Sequence, residues 1–167
     1  MNNKNSKKLM ITAAALLILV AAVYIAFPKN EGSSNTSSKS YEIKTVKDAD
    51  LVIPVNSVTE QAAFYPVEMN GTKLEVIAVK APDGTVRTAF NTCQVCYSSG
   101  KGYFEQEGDE LICQNCGNRF AMGDVEVARG GCNPVPITEE YKTVDDENIT
   151  ITKDILSQAT VIFQNWK

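Results

Sequence analysis

The chain contains no histidine in 167 residues. That absence excludes zinc fingers with mixed cysteine and histidine ligands, the two-histidine half of a Rieske centre, and haem attached through C-x-x-C-H. It also excludes histidine triads and general-base catalysis by imidazole. A tight site for a soft metal must therefore be built from sulfur, with carboxylates as weaker helpers. Positive charge is scarce as well. From Tyr41 onward, 11 Lys and Arg face 19 Asp and Glu, a balance of -8. Nucleic acid is therefore not expected as a partner. The leader has Lys7-Lys8 but no twin arginine, so nothing signals export in a folded, cofactor-loaded state. No internal repeat is present beyond one pair of short cysteine motifs.

Those motifs are Cys93-Gln-Val-Cys96 and Cys113-Gln-Asn-Cys116, with 16 residues between them. Two residues between cysteines let one tight turn aim both sulfurs at one ion, and a second such turn completes a tetrahedron of thiolates. Cys93, Cys96, Cys113 and Cys116 are thus the candidate metal ligands. Zinc, copper(I), iron or a small iron-sulfur cluster would suit them. Two structural disulfides and a thiol-exchange motif are the alternatives. No cation lies within two residues of Cys93, Cys96 or Cys113; Arg119, three positions past Cys116, is the nearest to that cysteine. Cys132, in Gly130-Gly131-Cys132-Asn133-Pro134, is a further candidate: an alternative ligand, a redox partner or a packed residue. No other catalytic constellation is found, and a non-enzymatic role is the favoured reading.

Leu9 to Phe27 is an uncharged apolar run of 19 residues, enough to cross a bilayer core. Lys4, Lys7 and Lys8 precede it, so residues 1–27 read as a cytoplasmic tip and transmembrane signal anchor. A cleaved signal peptide is the competitor, but no small-x-small site or lipid-accepting cysteine follows the run. Residues 28–40, with Gly32 and five serines, read as a flexible linker. Residues 41–167 are then a domain on the outer side of the cell membrane. Such a single-pass protein meets the bilayer through residues 9–27.

Strand signals dominate this domain. Thr72 to Lys80 alternates, with Leu74, Val76 and Ala78 on one face and Glu75, Ile77 and Val79 on the other. Asn70-Gly71 reads as the hairpin turn before it, although Asn70-Gly71-Thr72 and Asn148-Ile149-Thr150 also fit the glycosylation sequon. Pro82-Asp83-Gly84 reads as a turn, and Thr85 to Phe90 as a strand that leads into Cys93. Tyr97 to Ile112 reads as a hairpin presenting a cysteine pair at each end. Further strands are expected at Leu51–Val55, Ala63–Val67, Asp124–Val127 and Ile149–Ile151. Asp154 to Gln158 reads as a short helix and Thr160 to Trp166 as strand-like. The sum predicts a mainly β fold, a small sandwich or barrel.

The stretch Thr88-Ala89-Phe90-Asn91-Thr92-Cys93-Gln94-Val95-Cys96-Tyr97 resembles the membrane iron-sulfur FtrD-like family. So do Lys101-Gly102-Tyr103, Glu107-Gly108-Asp109, Cys113-Gln114-Asn115-Cys116-Gly117 and Gly130-Gly131-Cys132-Asn133-Pro134-Val135-Pro136-Ile137. The resemblance runs from about Val52 to Ile137. It implies an extracytoplasmic metal-binding domain, iron-sulfur binding, and in some members a link to ferrous iron uptake. Many members have several membrane spans before this domain; this chain has one such run. A second similarity joins Cys113, Cys116, Gly117, Phe120, Gly123, Val125, Gly130 and Pro134 to the second half of a Rieske domain. There, histidines occupy the places of Cys96 and Cys116. The resemblance implies a Rieske-like β-fold with an all-sulfur site of lower potential, because four thiolates add negative charge. The expected function is electron transfer or metal handling beside a membrane transporter or redox partner. A structural zinc knuckle for a membrane protein partner and a thiol-disulfide exchange protein are the alternatives.

Overall fold

The computed structural model describes residues 42–167, which lie within one compact unit, Ser40–Lys167. The apolar run at 9–27 and the linker at 28–40 fall outside the described residues. Among those described, no helix is long and apolar enough to cross a membrane.

Eleven strands and one short α-helix make up the described domain: β1 (Val46–Lys47), β2 (Leu51–Pro54), β3 (Ala63–Met69), β4 (Thr72–Lys80), β5 (Val86–Cys93), β6 (Phe104–Glu107), β7 (Glu110–Cys113), β8 (Arg119–Ala121), β9 (Pro134–Pro136), β10 (Thr143–Val144), β11 (Asn148–Ile151) and α1 (Lys153–Ala159). They form three sheets. The largest has the order β1-β3-β4-β5-β9, and the two smaller ones are β10-β11-β2 and β6-β7-β8. All pairings are antiparallel except β1 with β3.

The β3–β4 hairpin shows how local sequence sets register. Asn70 (φ 50°) and Gly71 (φ 79°) occupy the left-handed region, as a two-residue type I′ turn requires. Met69 therefore pairs with Thr72, and the ladder runs back to Ala63 opposite Ala78. The alternation in β4 then sorts its side chains to two cores. Leu74, Val76 and Ala78 join Leu51, Ile53, Ile149, Ile151, Leu156 and Phe163 on one face. Ile77 and Val79 join Cys93, Phe104, Leu111, Cys113 and Phe120 on the other. The central sheet is thus covered on both faces, which explains why β4 is apolar on both sides.

Besides this shared apolar core, a buried amide joins β6 to β5. Asn91 is fully buried; its Oδ1 accepts from Phe104 N at 2.7 Å, and its Nδ2 donates to Phe104 O at 3.1 Å and Glu75 Oε1 at 2.7 Å. Phe104 pairs with Cys113 across β6–β7. Asn91 so stands in for a strand at the free edge of β6.

Two expected strands are absent. Residues 124–127 form a turn in which Val127 N and Ala128 N both donate to Asp124 O. Glu126 takes a left-handed φ of 71°, and its carboxylate reaches β5. There it accepts from Thr88 N at 2.8 Å and from the buried Lys142 ammonium at 2.5 Å. The alternation of Asp124-Val125-Glu126-Val127 is overridden by this contact: Val125 is buried and Val127 is exposed. Thr160–Trp166 is not a strand either. It continues from α1 as a 3-10 turn at Thr160–Ile162, and Phe163 and Trp166 close further turns. Its apolar residues serve a helical face, with Phe163 buried. The hairpin expected at 97–112 is shorter than that span, with Tyr97–Ser99 as a 3-10 turn before β6.

Candidate metal centre

Each cysteine stands where a strand ends or a loop turns. Cys93 closes β5 just past an irregularity: Phe90 pairs with Val135, yet Cys93 pairs with Pro134. Extra residues on one strand bend it and re-aim the side chains beyond the bend. Here the bend buries Asn91, Thr92 and Cys93 together. Cys96 begins the next turn, where Ser99 N and Ser99 Oγ both donate to its carbonyl. Cys113 closes β7, and Cys116 sits in the turn that Gly117 N makes back to Cys113 O at 2.8 Å. Cys132 lies on the loop before β9.

The sulfurs of Cys93, Cys96, Cys113 and Cys132 all lie within 4.8 Å of one another. Individual separations are 3.2 Å for Cys93 to Cys132, 3.5 Å for Cys96 to Cys113 and 3.7 Å for Cys96 to Cys132. Cys116 lies outside that mutual set. It is exposed, and its Sγ is 2.7 Å from that of Cys132. All five cysteines are free thiols. The two C-x-x-C turns therefore converge, and the loop cysteine stands among them.

Cys132 is held by residues that spacing alone did not single out. Gln94, inside the first pair, ties down the loop three times: its N–H donates to Asn133 O, its Nε2 to Pro134 O, and its Oε1 accepts from Gly130 N. Asn118, beyond the second pair, donates from Nδ2 to Cys132 O at 3.1 Å. Gly130 and Gly131 both take φ above 70°, which a side chain would strain. A polar residue in or beside each cysteine turn was the only available sign of these ties.

The thiols are not equivalent. Burial works to raise the Cys93 pKa, but hydrogen bonds outweigh it and hold the thiol below its ordinary value. Cys96 N and Val95 N donate to its sulfur at 3.3 and 3.4 Å. Burial pushes Cys96 up to about 12, with the neighbouring sulfurs of Cys93 and Cys113 adding to the effect. Cys132 is raised as well, first by burial and then by Cys116 and Cys93. Cys93 therefore gives up its proton more readily than Cys96 or Cys132.

These residues fit a thiolate-bound metal. An ion held by four sulfurs at about 2.3 Å separates them by about 3.8 Å; three observed separations, 3.2, 3.5 and 3.7 Å, lie just below that scale, and all four sulfurs lie within 4.8 Å of one another. The donors are all soft. Two peptide N–H groups already face Cys93 Sγ, the outer contact that orients and tunes a metal-bound sulfur.

The family model for membrane iron-sulfur containing FtrD-like proteins matches residues 58–163. This chain belongs to the FtrD-like family. The match spans β3 to the turn after α1 and takes in all five cysteines. No curated protein and no solved structure matched. As an FtrD-like protein, the chain carries a mainly β domain with a four-cysteine cluster, and its family description is that of membrane iron-sulfur proteins.

Proposed function

We propose that this FtrD-like protein binds iron or an iron-sulfur cluster at the outer face of the cell membrane and there transfers electrons or handles metal. The observation that carries this reading is the convergence of Cys93, Cys96, Cys113 and Cys132 within 4.8 Å. A bound iron centre would supply one-electron redox chemistry. The chain's own part is to hold the thiolates, direct the Val95 and Cys96 N–H groups at Cys93, and keep water from Cys93 and Cys113, which are 0 % and 1 % exposed. Val95 and Tyr97 are exposed apolar residues beside Cys96, and a redox partner or transporter would dock over them. The run at 9–27 would anchor the domain beside that partner and raise its effective concentration. We read the β6–β8 sheet with its cysteine turns as Rieske-like.

One observation favours a second reading. The sulfur spacing matches one tetrahedral ion, so a single zinc or copper(I) ion would also fit, and zinc would then serve structure. Thiol-disulfide exchange is weaker, because the thiol with the lowered pKa, Cys93, is buried.

Protein purified without oxygen tests the choice. Iron with acid-labile sulfide and a visible band that bleaches on reduction is the expected result. A colourless, redox-silent protein containing zinc contradicts the iron reading.

A further inference from the structure

Four thiols surround the site and a fifth stands beside it, where the natural coordination number is four. The surplus is not spread evenly. Cys93 and Cys113 are buried, Cys96 is half-buried, and these three come from the rigid ends of β5 and β7 or the turn between strands. The remaining two lie against each other at the edge of the site. Cys132 belongs to the set of four, and Cys116 lies 2.7 Å from it on the exposed side. That contact is shorter than those of Cys93 with Cys132, Cys96 with Cys113 and Cys96 with Cys132.

We propose that Cys116 and Cys132 alternate as the fourth ligand of the cysteine centre. The exposed edge of the site becomes a port through which a soft metal ion is loaded from, and released to, an outside thiol or chelator. The proposal rests on the metal-centre reading above and adds a path in and out.

The exchange conserves ligand number and charge. The Cys116 sulfur would bind as the Cys132 sulfur leaves, the proton of the incoming thiol passing to the departing sulfur, and no electron would move. Little backbone motion is required. The two sulfurs are already closer than the about 3.8 Å that separates ligands of one ion, so side-chain rotation serves. Both backbones are held for this. Gln94 and Asn118 fix the Cys132 loop, and Gly117 N fixes the Cys116 turn on Cys113 O. Gly117, Gly130 and Gly131 have open space where a Cβ would stand, so no side chain from these positions covers the port. Cys132 is half-buried whereas Cys116 is exposed. An ion held through Cys116 would therefore lie nearer solvent, within reach of an incoming thiolate.

The test uses the full-length chain in detergent, reduced and free of oxygen, with Co(II) alone as the probe. The visible spectrum of tetrahedral Co(II) counts thiolate ligands, and a chromophoric chelator reads the transfer rate. Cys116→Ser is expected to keep the four-thiolate spectrum while handing Co(II) over about tenfold more slowly, the scale on which groups beside a ligand set act. Cys132→Ser is expected to keep the four-thiolate spectrum too, with Cys116 in place. The double variant should fall to a three-thiolate spectrum. Transfer from Cys116→Ser at the wild-type rate, or a three-thiolate spectrum from Cys132→Ser alone, overturns the exchange. A wild-type chain without a four-thiolate spectrum overturns the metal centre itself, a result seen before any variant is made.

Discussion

Asn91→Ala removes the side chain that joins Phe104 of β6 to β5. In the native protein the Asn91 amide satisfies both the N–H and the C=O of Phe104 and one oxygen of Glu75. Asn91 and Phe104 are both fully buried, so water does not readily replace these bonds. Each orphaned buried peptide group costs about 1–3 kcal/mol, and two of them give a loss of about 2–6 kcal/mol. Against a domain stability of about 5–15 kcal/mol, that is a large fraction. The chain offers its own probe. Its single tryptophan, Trp166, donates from Nε1 to Asn91 O at 2.8 Å, so its fluorescence reports this region. Urea unfolding of the metal-free protein should show a lower midpoint with an unchanged slope. Asn91→Asp provides the control that separates hydrogen bonding from volume. It keeps the shape but sets a carboxylate against Phe104 O and Glu75, and at neutral pH it should destabilise more than alanine does. A loss below about 1 kcal/mol for Asn91→Ala, less than one orphaned group costs, or a milder effect of Asn91→Asp, refutes the reasoning.

Metal affinity should rise with pH. Cys96 and Cys132 have raised pKa values and hold their protons at neutral pH, so binding must release at least these two. Apparent affinity should then increase about a hundredfold per pH unit and fall as the solution is acidified, as read by competition with a chelator; a flat profile contradicts it. Glu126→Gln leaves the Lys142 ammonium buried without its carboxylate; the Lys142 side chain is only 2 % exposed. Thermal or urea unfolding should show a loss of about 3–5 kcal/mol. Gly102→Ala places a Cβ 2.7 Å from Cys96 O, against the backbone of the first cysteine turn. Metal affinity should drop about tenfold or more, whereas Gly123→Ala, whose Cβ would make only ordinary contact with Pro82, should leave metal binding unchanged.

Local patterns were legible where local physics decides. The alternation of β4 assigned its side chains to the correct faces, and Asn70-Gly71 marked a hairpin because few other pairs accept two left-handed residues. Thr152 caps α1, accepting from Ile155 N, where a short helix was expected. Pattern misled where a distant partner overrode it. Val125 and Val127 alternate like a strand, yet Glu126 between them is drawn to Lys142 and Thr88. Thr160–Trp166 looks extended in composition, but its packing against Phe90 and Tyr103 is that of a turn following a helix. Spacing named Cys93, Cys96, Cys113 and Cys116 as one set; the sulfurs of the first three lie together with that of Cys132, while Cys116 stands outside, against Cys132. The place of Cys132 among them did not follow from spacing, because Gln94 and Asn118 bring its loop in from 36 residues past Cys96.

X-ray absorption at the metal edge of protein isolated without oxygen measures the central claim directly. Iron, or another soft metal, with a nearest shell of about four sulfurs at about 2.3 Å is the predicted result. A shell of oxygen and nitrogen, or protein isolated with no metal and with the cysteines joined in disulfides, would contradict it.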